Sequence, residues 1–145
     1  MGLHRIRLAA PWELTRRTTA AETAPISSNC KLPLALSSLV FEESTADSDI
    51  ILLSRKFHCP TGIDSSTRVF IEIELDDIAQ AEAIKAVMLN KESLSISNGN
   101  VDSSRLLRVD LSGRLMAFNV LQLQFPIAAS HTSGRLLSVT LMIEE

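Results

Sequence analysis

Apolar and polar residues alternate over several short segments of this chain, and turn residues bound each segment. The clearest cases are Arg68–Leu75 and Leu136–Glu144. Successive side chains of a β-strand point to opposite faces, so a period of two predicts one face in the core and one in water. The alternation recurs in Ile50–Cys59, Leu106–Leu111 and Val120–Phe125. We therefore expect an all-β protein, an antiparallel β-sandwich with at most two short helical turns.

Two stretches carry other local signals. Residues 76–83 combine good helix formers with acidic residues at their start, where the helix dipole favours them. A single helical turn and an extended crossing both fit this stretch. Asn98-Gly99 predicts a tight turn, because both residues accept positive φ. The 145 residues are close to the commonest domain size, so we expect one β-sandwich domain over residues 1–145.

Composition and charge narrow the classes of partner. Apolar residues make up 46% of the chain, charged residues 21%, and the net charge is −3, which is typical of a folded soluble protein. This balance gives no basic surface for nucleic acid. No run of apolar residues is long enough to span a membrane, and residues 1–7 lack the apolar region of a secretory signal. We therefore expect a cytoplasmic protein without nucleic-acid or membrane partners.

The chain has two cysteines, Cys30 and Cys59, which are too few for a disulfide framework. We expect both to be reduced thiols, although a single bridge between them stays open. His58 precedes Cys59, but neighbours in a strand point to opposite faces, so the two side chains cannot form a nucleophilic pair. The three histidines lack the spacing of a metal site.

Several short motifs follow one another in an order that is typical of a known module. The motifs are Leu8–Glu13, Leu52–Gly62, Val87–Lys91, Arg108–Leu111 and Asn119–Leu123. Together they resemble the galactose-binding-like jelly roll that forms the sugar-binding domain of family 2 glycoside hydrolases. In that module a "V-x-L-N-G" hairpin precedes an "F-D-V-T" segment and an "N-x-L-x-V" strand.

Three departures limit this resemblance. Lys91 replaces the glycine of the hairpin, so the turn there need not be equally tight, while Leu107 and Ser112 stand near the aromatic residue and the threonine of the second motif. In those hydrolases the catalytic carboxylates lie in a separate barrel domain, for which this chain has no room. The resemblance therefore implies a non-catalytic binding module, not an enzyme, that contacts a carbohydrate or a protein through loops at one end of the sandwich.

Four residues are candidate ligand contacts. Aromatic residues make up only 4% of the chain, and we expect most of them, including Trp12, to lie in the core. Phe70 is on the polar side of its strand, which makes it the candidate for an exposed contact. Trp12, at the start of the module, and Arg55 and His58, in the strand that carries the resemblance, complete the set.

Catalytic residues and cofactors are not expected. Glu72 and Glu74 alternate on a solvent-facing strand surface, and we interpret them as part of a solvated face. The resemblance leaves open whether a structural calcium ion is bound. Loop residues Asp47, Asp49 and Asp64 would offer it hard oxygen ligands.

An alternative function is a structural or oligomerising subunit without a small ligand. It is favoured by outward apolar residues such as Phe70, Leu136 and Met142, and it is compatible with a homo-oligomer.

Overall fold

The computed structural model describes residues 3–17, 27–35, 50–64, 66–75, 84, 86–95, 97–100, 103–126 and 135–144. This part of the chain contains β-strands and no helix. The strands are β1 (Leu3–Arg7), β2 (Trp12–Arg17), β3 (Ser27–Cys30), β4 (Leu34–Ala35), β5 (Ile50–His58), β6 (Arg68–Leu75), β7 (Ala86–Leu89), β8 (Glu92–Leu94), β9 (Ser97–Asn100), β10 (Ser103–Asp110), β11 (Phe118–Pro126) and β12 (Arg135–Glu144). The predicted helical turn at residues 76–83 lies outside the described residues.

The strands form two sheets. Sheet I has the order β1-β12-β6-β10-β9, with β4 also paired to β12, and sheet II has the order β3-β2-β5-β11-β7-β8. All pairings between the described strands are antiparallel. The predicted antiparallel β-sandwich is therefore confirmed.

The core lies between the two sheets and follows the predicted alternation. β6 contributes Val69, Ile71, Ile73 and Leu75, and β11 contributes Leu121, Leu123 and Phe125, all of them buried. Trp12 is fully buried among these residues, and its Nε1 donates a hydrogen bond to the carbonyl oxygen of Leu8 at 2.7 Å. A buried indole needs such a partner, because its unpaired N–H would lose its bond to water.

A β-bulge in β12 changes which residues face the core. Leu136 pairs with Leu75 and Ser138 with Glu74, so Leu137 is an extra residue between them. The extra residue shifts the phase of the alternation, and Leu136 and Val139 both enter the core cluster. The prediction that Leu136 points outward is therefore wrong.

The outer face of sheet I also departs from the expectation. Phe70 and Met142 pair across β6 and β12 and do lie on the outer face, but only 6% and 3% of their surfaces are exposed. The guanidinium of Arg108 stacks over the Phe70 ring, 4.4 Å from its centroid. The prediction of exposed apolar contacts at these two residues is therefore wrong, because Arg108 covers the Phe70 ring and Met142 is buried beside it.

The structure answers one open question about a turn and corrects one predicted turn. β7 and β8 are joined by the two-residue turn Asn90-Lys91, whose φ angles are 51° and 72°. Positive φ at both central residues is the geometry of a tight type I′ hairpin, so the turn is kept although lysine replaces glycine. Asn98 and Gly99 instead lie inside β9, where Asn98 pairs with Leu107 of β10.

Candidate functional site

A groove of about 590 Å³ lies on the outer face of sheet II. It spans three adjacent strands, β5, β11 and β7, and ends at the β7–β8 turn and the β10–β11 loop. Among the residues that line it are Leu52, Met88, Lys91, Met116, Gln122 and Gln124. The alternation of β11 produces this face: Leu121, Leu123 and Phe125 fill the core, so the residues between them point outward.

Two amide side chains form the floor of the groove. Gln122 Nε2 donates to Ser54 Oγ at 3.3 Å, and Gln124 Nε2 donates to Met88 Sδ at 2.9 Å. Among the described residues, no group donates a hydrogen bond to the Oε1 atom of either glutamine. The floor therefore offers amide oxygens as acceptors to a ligand hydroxyl.

A buried asparagine fixes the end of the groove. Asn119 has no exposed surface, and its Oδ1 accepts hydrogen bonds from Met116 N at 2.8 Å and from Asn90 Nδ2 at 3.0 Å. Its Nδ2 donates to Met116 O at 2.8 Å, and Asn90 Oδ1 accepts from Val120 N at 2.8 Å. These bonds join the β10–β11 loop to the β7–β8 turn, so they position Met116 and Lys91 at the groove rim.

An exposed aromatic ring stands beside this rim. Phe118 begins β11 in the same outward phase as Val120 and Gln122, and 50% of its surface is exposed. Its ring meets the His58 ring edge to face, with 5.1 Å between centroids and 75° between planes. The contact holds the phenyl ring against β5 while one side of it remains open.

Lysine supplies the charge in and beside the groove. Lys91 lines it, and Lys56, which pairs with Val120, lies on the same outer face of β5. The neighbouring carboxylate of Glu92 forms an ion pair with Arg114. The described residues that line the groove include no aspartate or glutamate.

The structure does not bring the four predicted contacts together. Trp12 is in the core and Phe70 is on the opposite sheet, and the burial of both contradicts their place among the candidate contacts. Arg55 and His58 share β5 but are an odd number of residues apart, so they point to opposite faces. Arg55 Nη1 donates to the carbonyl of Lys56, and only the exposed His58 lies beside the groove.

Phe118, Gln122 and Gln124 are not among the contacts predicted from the sequence. The signal was present in the alternation of Val120–Phe125. Extending that alternation two residues towards the N-terminus places Phe118 in phase with the two glutamines.

A second, smaller cleft lies at the same end of the sandwich. It encloses about 340 Å³ between the β5–β6 connection and the β10–β11 loop, and Cys59, Asp64 and Leu115 are among its lining residues. Hydrogen bonds from the Ser66 hydroxyl and amide and from the Thr67 hydroxyl hold the pKa of Asp64 below its usual value. Its carboxylate is therefore already engaged within its own turn.

The metal prediction has no further support in the described part of the chain. No three histidine, cysteine, aspartate or glutamate side chains converge there. Asp47 and Asp49 lie outside the described residues, so the calcium site stays a prediction. Cys30 and Cys59 are free thiols, as expected, and burial raises the pKa of Cys30. No helix among the described residues is long and apolar enough to cross a membrane.

Comparison with known proteins bears on the fold. No family model matches the chain, and no curated protein matches it. Among solved structures it is similar to an FMN-binding beta-glucuronidase from Facaelibacterium prausnitzii, with a TM-score of 0.60 and 19% identity over 97% of this chain. It is also similar to a beta-D-mannosidase from Dictyoglomus thermophilum, with a TM-score of 0.53 and 10% identity over 86% of this chain.

The similarity covers 22% of the glucuronidase chain and 16% of the mannosidase chain. This chain therefore spans less than a quarter of the length of either protein. At these identities the likeness shows the fold alone. The predicted similarity to a β-sandwich domain of glycoside hydrolases is confirmed at that level.

Proposed function

We propose that this chain is a non-catalytic carbohydrate-binding module and that the groove on sheet II is its binding site. The observation that carries the proposal is the half-exposed Phe118 ring at the end of the outer face on which the Gln122 and Gln124 side chains line the groove. Binding through this face replaces the sequence-based expectation of binding through end loops, although the β10–β11 loop still closes one end of the groove.

The residues of this face match the chemistry of a sugar. A pyranose ring presents C–H groups on its faces and hydroxyls around its edge. The open side of Phe118 gives an apolar surface for the C–H groups, and the Gln122 and Gln124 amides give hydrogen-bonding groups for the hydroxyls. Concave sites with a few convergent polar groups are where proteins usually bind small ligands.

The absence of carboxylates from the described groove lining supports a binding role and not hydrolysis. Glycoside hydrolysis uses two carboxyl groups on either side of the scissile bond, roughly 5 to 9 Å apart. The paired acids considered from the sequence, Glu72 and Glu74, lie on the other sheet, where Glu72 forms an ion pair with Arg108. Similarity to parts of a beta-glucuronidase and a beta-D-mannosidase is in keeping with a sugar ligand.

The alternative, an oligomerising subunit without a ligand, loses the observation that favoured it. Phe70, Leu136 and Met142 are all buried within the protein itself, so they are not free for contact with a second copy.

A glycan array followed by affinity measurements on the full chain tests the proposal. We expect Phe118→Ala to weaken binding of the best glycan about fivefold, because an aromatic contact is worth on the order of 1 kcal/mol. Phe118→Trp should retain binding, since it keeps an aromatic surface. Ile6→Ala is the matched control, because it removes another partly exposed apolar side chain, on sheet I. A flat array, or a Phe118→Ala protein that binds like the wild type, would contradict the proposal.

A further inference from the structure

Lys91 has a backbone conformation that its residue type disfavours. Its φ of 72° lies in the left-handed region, where a side chain crowds the following carbonyl group. Glycine is the residue that a type I′ turn favours at this second central position. Residues held in such sparsely populated backbone regions cluster at active sites and ligand sites.

The ammonium group of Lys91 has no anionic partner in the described part of the chain. Glu92, its neighbour, is paired with Arg114, and no carboxylate is found among the described groove residues. Lys91 is the charged residue of that lining. Lys56 is a second cation on the same face, but Glu13 of the adjacent strand β2 lines a smaller pocket with it, so Lys91 is the cation whose charge no described carboxylate offsets.

We propose that the groove prefers saccharides that carry a negative charge and that Lys91 binds this charge. The inference rests on the proposed function and narrows its ligand class. A carboxylate or a sulfate group on a sugar ring would supply the anion. The remaining hydroxyls would form hydrogen bonds with the amides of Gln122 and Gln124. The attraction acts between groups at the protein surface, so it should weaken as salt screens it.

Three oligosaccharides of equal length serve as probes in a binding titration with the full chain. One is a neutral tetrasaccharide, one a tetrauronate and one a sulfated tetrasaccharide. We expect at least one acidic probe to bind about fivefold or more tightly than the neutral one, as a surface charge pair would give. The difference should shrink when salt is raised from roughly 50 mM to roughly 500 mM. The stronger of the two acidic arms identifies the chemical source of the charge.

Variants assign the preference to Lys91. Lys91→Gly should remove most of the preference for the acidic probe, measured as the ratio of the affinities for the acidic and the neutral probe. Because glycine also relieves the strained turn, we expect this variant to fold, and its unfolding midpoint checks this. Lys31→Gln is the matched control: it removes the same charge from an exposed residue that lies between β3 and β4. It should bind both probes like the wild type.

The outcomes separate this inference from the proposed function. Equal affinity for neutral and acidic probes would overturn the charge preference and leave a carbohydrate-binding groove. A preference that survives Lys91→Gly would overturn the role of Lys91. Binding of no saccharide at all would overturn both proposals.

Discussion

Asn119 is fully buried although its side chain carries a donor group and an acceptor. The structure accounts for this burial, because the amide forms hydrogen bonds with the backbone N–H and C=O groups of Met116 and with the side chain of Asn90. Truncation would leave these partners buried and unpaired, at a cost of about 1–3 kcal/mol for each unsatisfied group.

We therefore predict that Asn119→Ala lowers the free energy of unfolding by about 2–4 kcal/mol in urea denaturation. Gln122→Ala, which loses a single 3.3 Å hydrogen bond at a half-buried residue, should cost less than about 1 kcal/mol. Equal costs for the two variants would show that the Asn119 bonds do not hold the loop to the turn.

Lys91 gives the opposite kind of prediction, a gain in stability. Left-handed backbone costs a non-glycine residue about 1 kcal/mol or more. Lys91→Gly should raise the free energy of unfolding by about 0.5–1 kcal/mol, because glycine adopts this φ freely but also has more freedom in the unfolded chain. Lys91→Ala keeps the Cβ atom and should give no such gain. A destabilised Lys91→Gly protein would mean that the lysine side chain makes stabilising contacts.

Single residues were harder to predict than strands because exposure depends on neighbours that are distant in sequence. Phe70 lies on the predicted outer face of its sheet, yet the guanidinium of Arg108 from β10 covers its ring. Phe118 was expected in the core with most aromatics, yet it lies at the first position of β11, beside the exposed His58. Composition alone did not distinguish the two rings.

At the level of elements, alternation predicted the long strands because each has one face in a shared core. It could not predict the β12 bulge, because nothing in the apolar composition marks the extra residue. That residue moves the side chains that precede it in the strand to the opposite face of the sheet. The Asn98-Gly99 signal failed for a similar reason. Pairing with β10 holds these residues in a strand, and such tertiary pairing overrides local turn preference.

The bulge can be tested with two neighbouring leucines. Leu136 is fully buried and Leu137 is the extra, half-buried residue. Leu136→Ala should lower the free energy of unfolding by about 2–5 kcal/mol, as other core truncations do. Leu137→Ala should cost about 1 kcal/mol or less. Regular alternation without a bulge predicts the reverse order, so the ranking of the two midpoints in chemical denaturation decides between the registers.

At the scale of the whole molecule, the fold class followed from the sequence but the groove did not. Its floor combines Leu52 of β5, Met88 of β7 and Gln124 of β11, which only sheet pairing brings together. A single sequence predicts which residues point outward from each strand. It does not show which strands lie side by side, so a concave face shared by three strands appears only in the folded structure.

We expect one end of the sandwich to lose stability in acid. Asp64 precedes β6 and Asp110 ends β10, and each carboxylate accepts hydrogen bonds within the turn that follows it. The pKa of Asp110 is held below its usual 3.8 mainly by a hydrogen bond from the Ser112 amide and secondly by the Ser112 hydroxyl. The pKa of Asp64 is also lowered, mainly by the hydrogen bond from the Ser66 hydroxyl. Both groups therefore have a lower pKa in the folded chain than in the unfolded chain.

This direction determines the sign of the pH dependence. Between the two pKa values the unfolded chain binds more protons, so the stabilisation is complete above pH 3.8 and is lost as the pH falls through the folded pKa. We expect the double variant Asp64→Asn/Asp110→Asn to be less stable than the wild type at neutral pH. The two denaturation midpoints should converge as the pH is lowered, because asparagine keeps the turn geometry but does not titrate. A constant difference between them at every pH would show that the loss comes from turn geometry and not from the charged carboxylates.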